Sequence, residues 1–245
     1  MIRQNELVEP RFSDPALPPE TRIYAVGDIH GRADLLNDVI LRIEDDLARR
    51  PITHAIEVYI GDYIDRGSES KAVIETLAWR IAQRRAICLR GNHEALLEVF
   101  LADPAGLHPW MHVGAFTTLQ SYGLSQSELS TSEFHIHRRL RDVFPEAHRL
   151  FLRCLQNSFS CGDFLFVHAG LRPGIPLEQQ SVHDLLWIRD EFLDFKQSHG
   201  PLVVHGHTPV PHPELLTNRI NIDTGAWMSG VLTCVAIEGT KVTVL

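Results

Sequence analysis

Nowhere in this sequence do 18 apolar residues run together, so nothing in it reads as a helix able to cross a bilayer. Cysteine is scarce. Cys88, Cys154, Cys161 and Cys234 show no CxxC spacing, which argues against a zinc ribbon or a redox pair and for free thiols in a reducing compartment. Positive charge is in deficit too: 23 Lys plus Arg against 31 Asp plus Glu leave a net charge of −8, which argues against an extended nucleic-acid surface. The opening "MIRQNELVEPRFSDPALPPETR" carries charges and prolines where a secretory signal needs an apolar centre, so a soluble cytoplasmic protein is expected, its residues 1–20 a loose arm. Repeats and low-complexity segments are absent.

What is present is an ordinary globular composition, 44% hydrophobic and 22% charged over 245 residues, which fits one domain from residue 21 to 245. Short runs rich in β-branched residues alternate with longer stretches of helical period, the rhythm of βαβ units and a largely parallel sheet. Strands are predicted near 22–27, 55–61 and 86–90, and helices near 32–49, 69–83 and 94–101. Residues 102–157 read instead as helical pieces and polar loops, a helical insertion capping the sheet. Strand signals resume at "FLFVHAG", "PLVVHGH", "RINIDTG" and "GVLTCVAIEGTKVTVL".

Five strand ends share a pattern. "IYAVGDIHG", "EVYIGDYIDRG", "AICLRGNHE", "FLFVHAG" and "LVVHGHT" each close an apolar run on a glycine-containing turn with Asp, Asn or His. In open α/β sheets, sites form outside the carboxyl ends of strands, where such turns converge. A helix cap at Asp28 explains one of these endings and not five. Asp28 and His30, at i and i+2, point the same way if the strand end is extended. With Asp62, Asn92, His168 and His207 they make six N/O donors without a thiolate, more than a four-coordinate zinc with an open position needs, and suited to two divalent ions about 3.5–4 Å apart sharing one carboxylate. Asp62 is the expected bridge.

"GDIHG", "GDYIDRG", "GNHE", "HAG" and "HGHT" together resemble the successive signatures of the metallophosphoesterases, and within them the phosphoprotein phosphatase branch that includes bacterial serine/threonine protein phosphatases and diadenosine tetraphosphatases. The resemblance spans residues 23–208. It implies an α/β sandwich of two mixed β-sheets flanked by helices, with a two-metal site at one edge. It puts Asp28, His30 and Asp62 on one metal and Asp62, Asn92, His168 and His207 on the other, leaving His205 a structural neighbour. Imidazole with carboxylate suits Mn²⁺, Fe or Zn²⁺ better than Mg²⁺ or Ca²⁺, and Mn²⁺ is expected. "HAG" for the eukaryotic "HGG", no counterpart of the tyrosine-bearing C-terminal segment and an end soon after "HGHT" imply a compact bacterial enzyme without a regulatory subunit.

Two such ions lower the pKa of a water held between them, making hydroxide available at neutral pH. The remaining task is to position and neutralise the phosphoryl group, for which arginine forks are fitted. Arg66, four residues past Asp62, is one expected substrate ligand; Arg189 in "DLLWIRDE" matches an "LW-x-R" element of the shorter bacterial members and is the other. His93, beside Asn92, is placed to be the general acid and Asp65 to orient it. Asp223 in "NRINIDTGAW" is expected to support the site by hydrogen bonding without being a ligand.

Two features are ambiguous in sequence. Phe134–Cys154 carries Arg138, Arg139, Arg141, Arg149 and Arg153 against Asp142 and Glu146, either a solvated helix face or an attraction for anionic substrates. His108 and His112 have metal-chelating i, i+4 spacing but no acidic companion, and read as surface or packing histidines. Three functions stay open: hydrolysis of phosphoserine, phosphothreonine or phosphotyrosine in proteins or of small phosphate esters, which is preferred; cleavage of diadenosine tetraphosphate by a bis(5'-nucleosyl)-tetraphosphatase; and a non-catalytic module with a structural metal.

Overall fold

The computed structural model describes residues 14–245. In chain order its elements are β1 (Thr21–Val26), α1 (Ala33–Arg49), β2 (His54–Tyr59), α2 (Ser70–Gln83), β3 (Ala86–Cys88), α3 (Asn92–Ala102), α4 (Leu107–Met111), α5 (Ala115–Ser121), α6 (Gln126–Leu129), α7 (Glu133–Val143), α8 (Glu146–Cys154), β4 (Ser158–Cys161), β5 (Phe164–Val167), α9 (Val182–Trp187), α10 (Asp190–Leu193), β6 (Leu202–His205), β7 (Glu214–Leu215), β8 (Arg219–Asn221), α11 (Ala226–Ser229), β9 (Cys234–Glu238) and β10 (Lys241–Val244).

The strands form two five-stranded sheets, ordered β10-β9-β1-β2-β3 and β4-β5-β6-β8-β7. β1, β2 and β3 run parallel, as do β5, β6 and β8, while β9, β10, β4 and β7 join antiparallel, so both sheets are mixed and not largely parallel. Successive side chains of a strand face opposite ways, and β1 shows the result. Ile23 and Ala25 enter the layer between the sheets, with Ile56, Val58, Phe164, Phe166, Val204 and Ile220. Tyr24 and Val26 face the helical layer, against Leu36, Val39 and Ile43 of α1 and Val73, Ile74 and Leu77 of α2. Leu165, Val167 and Val203 of the second sheet are covered by Leu185, Ile188 and Phe192. The order is helices, sheet, sheet, helices.

The expected insertion is helical and carries a large share of the core: Trp110, Leu119, Tyr122, Ile136, Leu140, Phe144 and Phe151 join the cluster that covers the first sheet. Residues 1–13 of the expected arm lie outside the described residues. Its remainder is anchored, since Leu17 is buried and donates its backbone N–H to the Gly239 carbonyl at 2.9 Å. Among the described residues no helix is long and apolar enough to cross a membrane.

Candidate active site

The carboxyl ends of β1, β2, β3, β5, β6 and β8 lie at one edge, and the turns that follow them are knitted together through their backbones. The N–H groups of Ile29 and His30 donate to the Asp62 carbonyl at 3.0 and 2.9 Å, and that of Gly206 to the His168 carbonyl at 2.8 Å. Six non-glycine residues among those described have positive φ, and five of them are His30, Asp62, Asp65, Arg66 and His207. Left-handed backbone costs free energy and persists where the surroundings overdetermine it, characteristically at functional sites. The assumption of an extended strand end at Asp28 and His30 is thereby corrected: β1 stops at Val26 and the chain turns at His30 with φ 46°. Gly91 and Gly206 are required because a Cβ at either would collide with a carboxylate oxygen, that of Asp62 or Asp28 respectively.

Donor atoms converge in two groups that share Asp62: His30, Asp62 and His93, and Asp62, His168 and His207. His168 donates Nδ1–H to the Ile60 carbonyl at 3.0 Å, so the neutral ring presents a bare Nε2, which lies 2.9 Å from Asn92 Oδ1 and 3.4 Å from Asp62 Oδ1. His207 Nδ1 meets the same Asn92 oxygen at 3.0 Å. His30 repeats the arrangement: Nδ1–H donates to the Ile64 carbonyl at 2.8 Å, leaving Nε2 facing Asp62 Oδ2 at 3.5 Å. Burial holds His30 at about 3 and also lowers His168 and His207, keeping these rings neutral near pH 7.

At His30 and His168 lone pairs therefore face lone pairs with no proton between them. Asp28 Oδ1 and His207 Nε2 are buried without any partner. Burial and the charges of Asp223 and Asp62 push Asp28 well above the usual carboxylate range, and Asp223 is raised to about 6, mainly by burial. No Lys or Arg among the described residues lies within 4.0 Å of the carboxylates of Asp28, Asp62 or Asp223. Buried carboxylates without cationic partners beside unprotonated imidazoles are a donor set that divalent cations satisfy.

Asp65 is fully buried and held by three donors: Thr118 Oγ1 at 2.6 Å, Trp110 Nε1 at 2.8 Å and His93 Nδ1 at 2.6 Å. His93 is thus fixed at one nitrogen, with Nε2 turned towards Asp62 at 3.7 Å. Burial works against its protonation, but the Asp62 and Asp65 carboxylates prevail and raise its pKa. Arg66 and Arg189 line the same cavity of about 90 Å³ as His30, Asp62, Asn92, His93 and His207. Arg66 lies over the Trp227 ring, 5.1 Å from its centroid, and Arg189 donates to Thr208 Oγ1 at 3.2 Å. Glu191, a carboxylate near enough in sequence to capture Arg189, is instead paired with Arg172. Asp223 lines the cavity and accepts from the Gly225 N–H at 2.8 Å. His205 is buried elsewhere, edge-on to Phe192 with Nδ1 3.1 Å from the Gly206 carbonyl, outside both donor groups.

Sequence reasoning missed three supports. The Glu94 carboxylate accepts backbone N–H groups of Asp62 at 2.9 Å, Tyr63 at 2.8 Å and Gly91 at 3.0 Å, binding the Asp62 turn to the start of α3. The available signal was its place three residues after Gly91, the N-cap of α3, where a Glu reaches back to the cap N–H. Trp110 and Thr118, 45 and 53 residues beyond Asp65, had no local signal.

Residues 21–228 match the calcineurin-like phosphoesterase family. Among curated relatives, the chain is 28% identical over 227 residues to the bis(5'-nucleosyl)-tetraphosphatase PrpE (asymmetrical) of Anoxybacillus flavithermus, spanning 85% of this chain and 87% of the relative. It is 28% identical over 225 residues to serine/threonine-protein phosphatase 1 of Salmonella typhimurium, spanning 88% and 92%. A crystal structure assigned as a diadenosine tetraphosphatase superposes with a TM-score of 0.62 at 18% identity, covering 94% of this chain and 97% of that one.

Proposed function

From the premise that the chain belongs to the calcineurin-like phosphoesterase family and is a metal-dependent hydrolase, we propose that it removes phosphoryl groups from phosphoserine and phosphothreonine side chains. The observation that carries this reading is the joint placement of Arg66, Arg189 and His93 around a cavity of about 90 Å³, room for one phosphoryl group with the rest of the substrate outside. Asp28, His30 and Asp62 would hold one divalent ion, and Asp62, Asn92, His168 and His207 the other. Bound there, such ions supply Lewis acidity and bring the pKa of water towards neutrality.

The chain's own side chains do the rest. Arg66 and Arg189 grip phosphoryl oxygens with planar forks from two elements, opposing the charge that grows on them during transfer. His93, its Nδ1 held by Asp65, carries a proton on Nε2 towards the cavity and gives it to the departing oxygen. A raised pKa keeps that proton in place around neutrality.

A second reading, hydrolysis of diadenosine tetraphosphate, is favoured by one observation. Trp187 lines the cavity and Trp227, beneath Arg66, is 39% exposed, so two indole faces are at hand for a nucleobase. A competitive panel of phosphopeptides, diadenosine tetraphosphate and mononucleotides with Mn²⁺, products separated by chromatography, tests both. The first reading expects the highest kcat/KM on phosphopeptides; preferential release of nucleotides from the dinucleotide overturns it, and inertness towards every ester overturns both.

A further inference from the structure

His108 lies on α4 and His112 is the residue that ends it, its backbone still in the right-handed helical region. Both side chains are exposed, and their Nε2 atoms are 3.4 Å apart with the ring centroids at 4.6 Å. Two Zn–N bonds of ~2.0–2.1 Å opening at a tetrahedral angle place their nitrogens roughly 3.3–3.4 Å apart. The pair is therefore held at the spacing of two legs of a tetrahedral zinc site. We propose that His108 and His112 form a surface Zn²⁺ site, separate from the buried donor cluster, with water in the remaining positions.

As hydrogen-bond partners, one ring donates Nε2–H to the other. Zinc takes both Nε2 lone pairs once the donating ring moves its proton to Nδ1, so neutral rings bind it without net proton release. Imidazole ligands without a carboxylate select zinc-like ions over Mg²⁺ or Ca²⁺.

The place of the pair gives it a consequence, which rests on the catalytic reading of His93. α4 is only five residues long, too short to be stable alone, and a cation bridging i to i+4 pins its single turn. The same turn carries Trp110, whose indole N–H reaches Asp65, the carboxylate that holds His93. Val113, next to His112, lines the cavity. Zinc on the surface thus tightens the support of the general acid, making this pair an activating site.

The test compares the wild type with the His108→Gln/His112→Gln double variant, both loaded with Mn²⁺, dialysed against Zn²⁺ and analysed for metal. The expected result is about one more Zn²⁺ per chain in the wild type, whatever exchange occurs in the buried cluster, and equal zinc in both proteins overturns the site. In parallel, Zn²⁺ should raise kcat of the wild type at constant KM and leave the double variant without that rise; an identical response in both overturns the link to His93. Should the catalytic reading fail, the zinc count still decides whether the site exists.

Discussion

Trp110 gives its indole N–H to Asp65 Oδ2 at 2.8 Å, the oxygen that His93 Nδ1 reaches at 2.6 Å. Two donors on one oxygen leave the carboxylate little freedom, and a hydrogen bond to a charged group is worth about 1.5–3 kcal/mol. Trp110→Phe keeps most of the packing against Phe100 and loses this donor. We expect kcat to fall roughly ten- to a hundredfold while KM and metal content stay near wild type, as steady-state kinetics and metal analysis will read. An unchanged kcat would show that Thr118 and His93 hold Asp65 unaided.

His93 and Asp62 should separate cleanly. His93→Asn removes the proton carrier and leaves the six proposed ligands Asp28, His30, Asp62, Asn92, His168 and His207 in place, so kcat should drop by about 10²–10⁴ with both metals retained. Asp62→Asn removes the carboxylate common to the two donor groups, and turnover should vanish together with bound metal. Metal analysis of both variants beside an assay on p-nitrophenyl phosphate checks this; metal loss in His93→Asn would place that ring among the ligands.

Arginine and lysine are not equivalent where a planar fork grips a phosphoryl group. Arg66→Lys also gives up much of the stacking on Trp227, so it should reduce kcat/KM more than Arg189→Lys, whose side chain is exposed and touches Thr208. The opposite ranking, measured on one phosphopeptide, would reverse their assigned weights.

The donors are legible in sequence because each lies just past an apolar strand in a turn that contains a glycine, so short-range pattern and long-range position coincide. Asp62, Asn92, His168 and His207 are readable as one set from the sequence alone, although their partners are up to 115 residues apart. The supports were not legible, because a buried Trp or Thr in the insertion looks like any core residue until its partner is known. Residues 102–157 read as a cap from their polar loops, yet Trp110 and Leu119 are fully buried. Periodicity reports a helix face and is silent on what covers it. Leu17 falls in the expected loose arm for the same reason: Ala16 and Leu17, between Pro15 and Pro18, carry no period.

Glu94 holds four backbone N–H groups from two turns, those of Asp62, Tyr63, Ile64 and Gly91, and an amide at that place can accept through only one of its two heavy atoms. Glu94→Gln should therefore leave at least one buried donor unmatched, at about 1–3 kcal/mol, and loosen the turn that carries Asp62. The expected result is a lower Tm and weaker metal binding together. A fall in Tm with unchanged metal affinity would confine Glu94 to the fold.

Metal removal should give Asp28 and Asp223 a pH-dependent contribution to stability of definite direction. Without cations, Asp28 and Asp223 are buried with folded pKa values raised above the usual 3.8, that of Asp223 to about 6 and that of Asp28 well above its ordinary value. At these two groups the unfolded chain loses its protons first, so between pH 4 and 6 their contribution to stability falls as pH rises, by about 1.4 kcal/mol for each unit by which a pKa is raised, while His30, His168 and His207, neutral when folded and protonated when unfolded, contribute in the opposite sense. Divalent ions reverse the preference at Asp28, which would bind them as the ionised carboxylate, and stabilise the folded chain by RT ln(1 + [L]/Kd), about 2.7 kcal/mol at a hundredfold excess over Kd. Urea denaturation of chelator-treated protein should thus show the wild type losing stability relative to an Asp28→Asn/Asp223→Asn variant from pH 4 to 6. A metal-free wild type that gains stability relative to that variant across the window would mean the carboxylates are matched by cationic groups and need no ion.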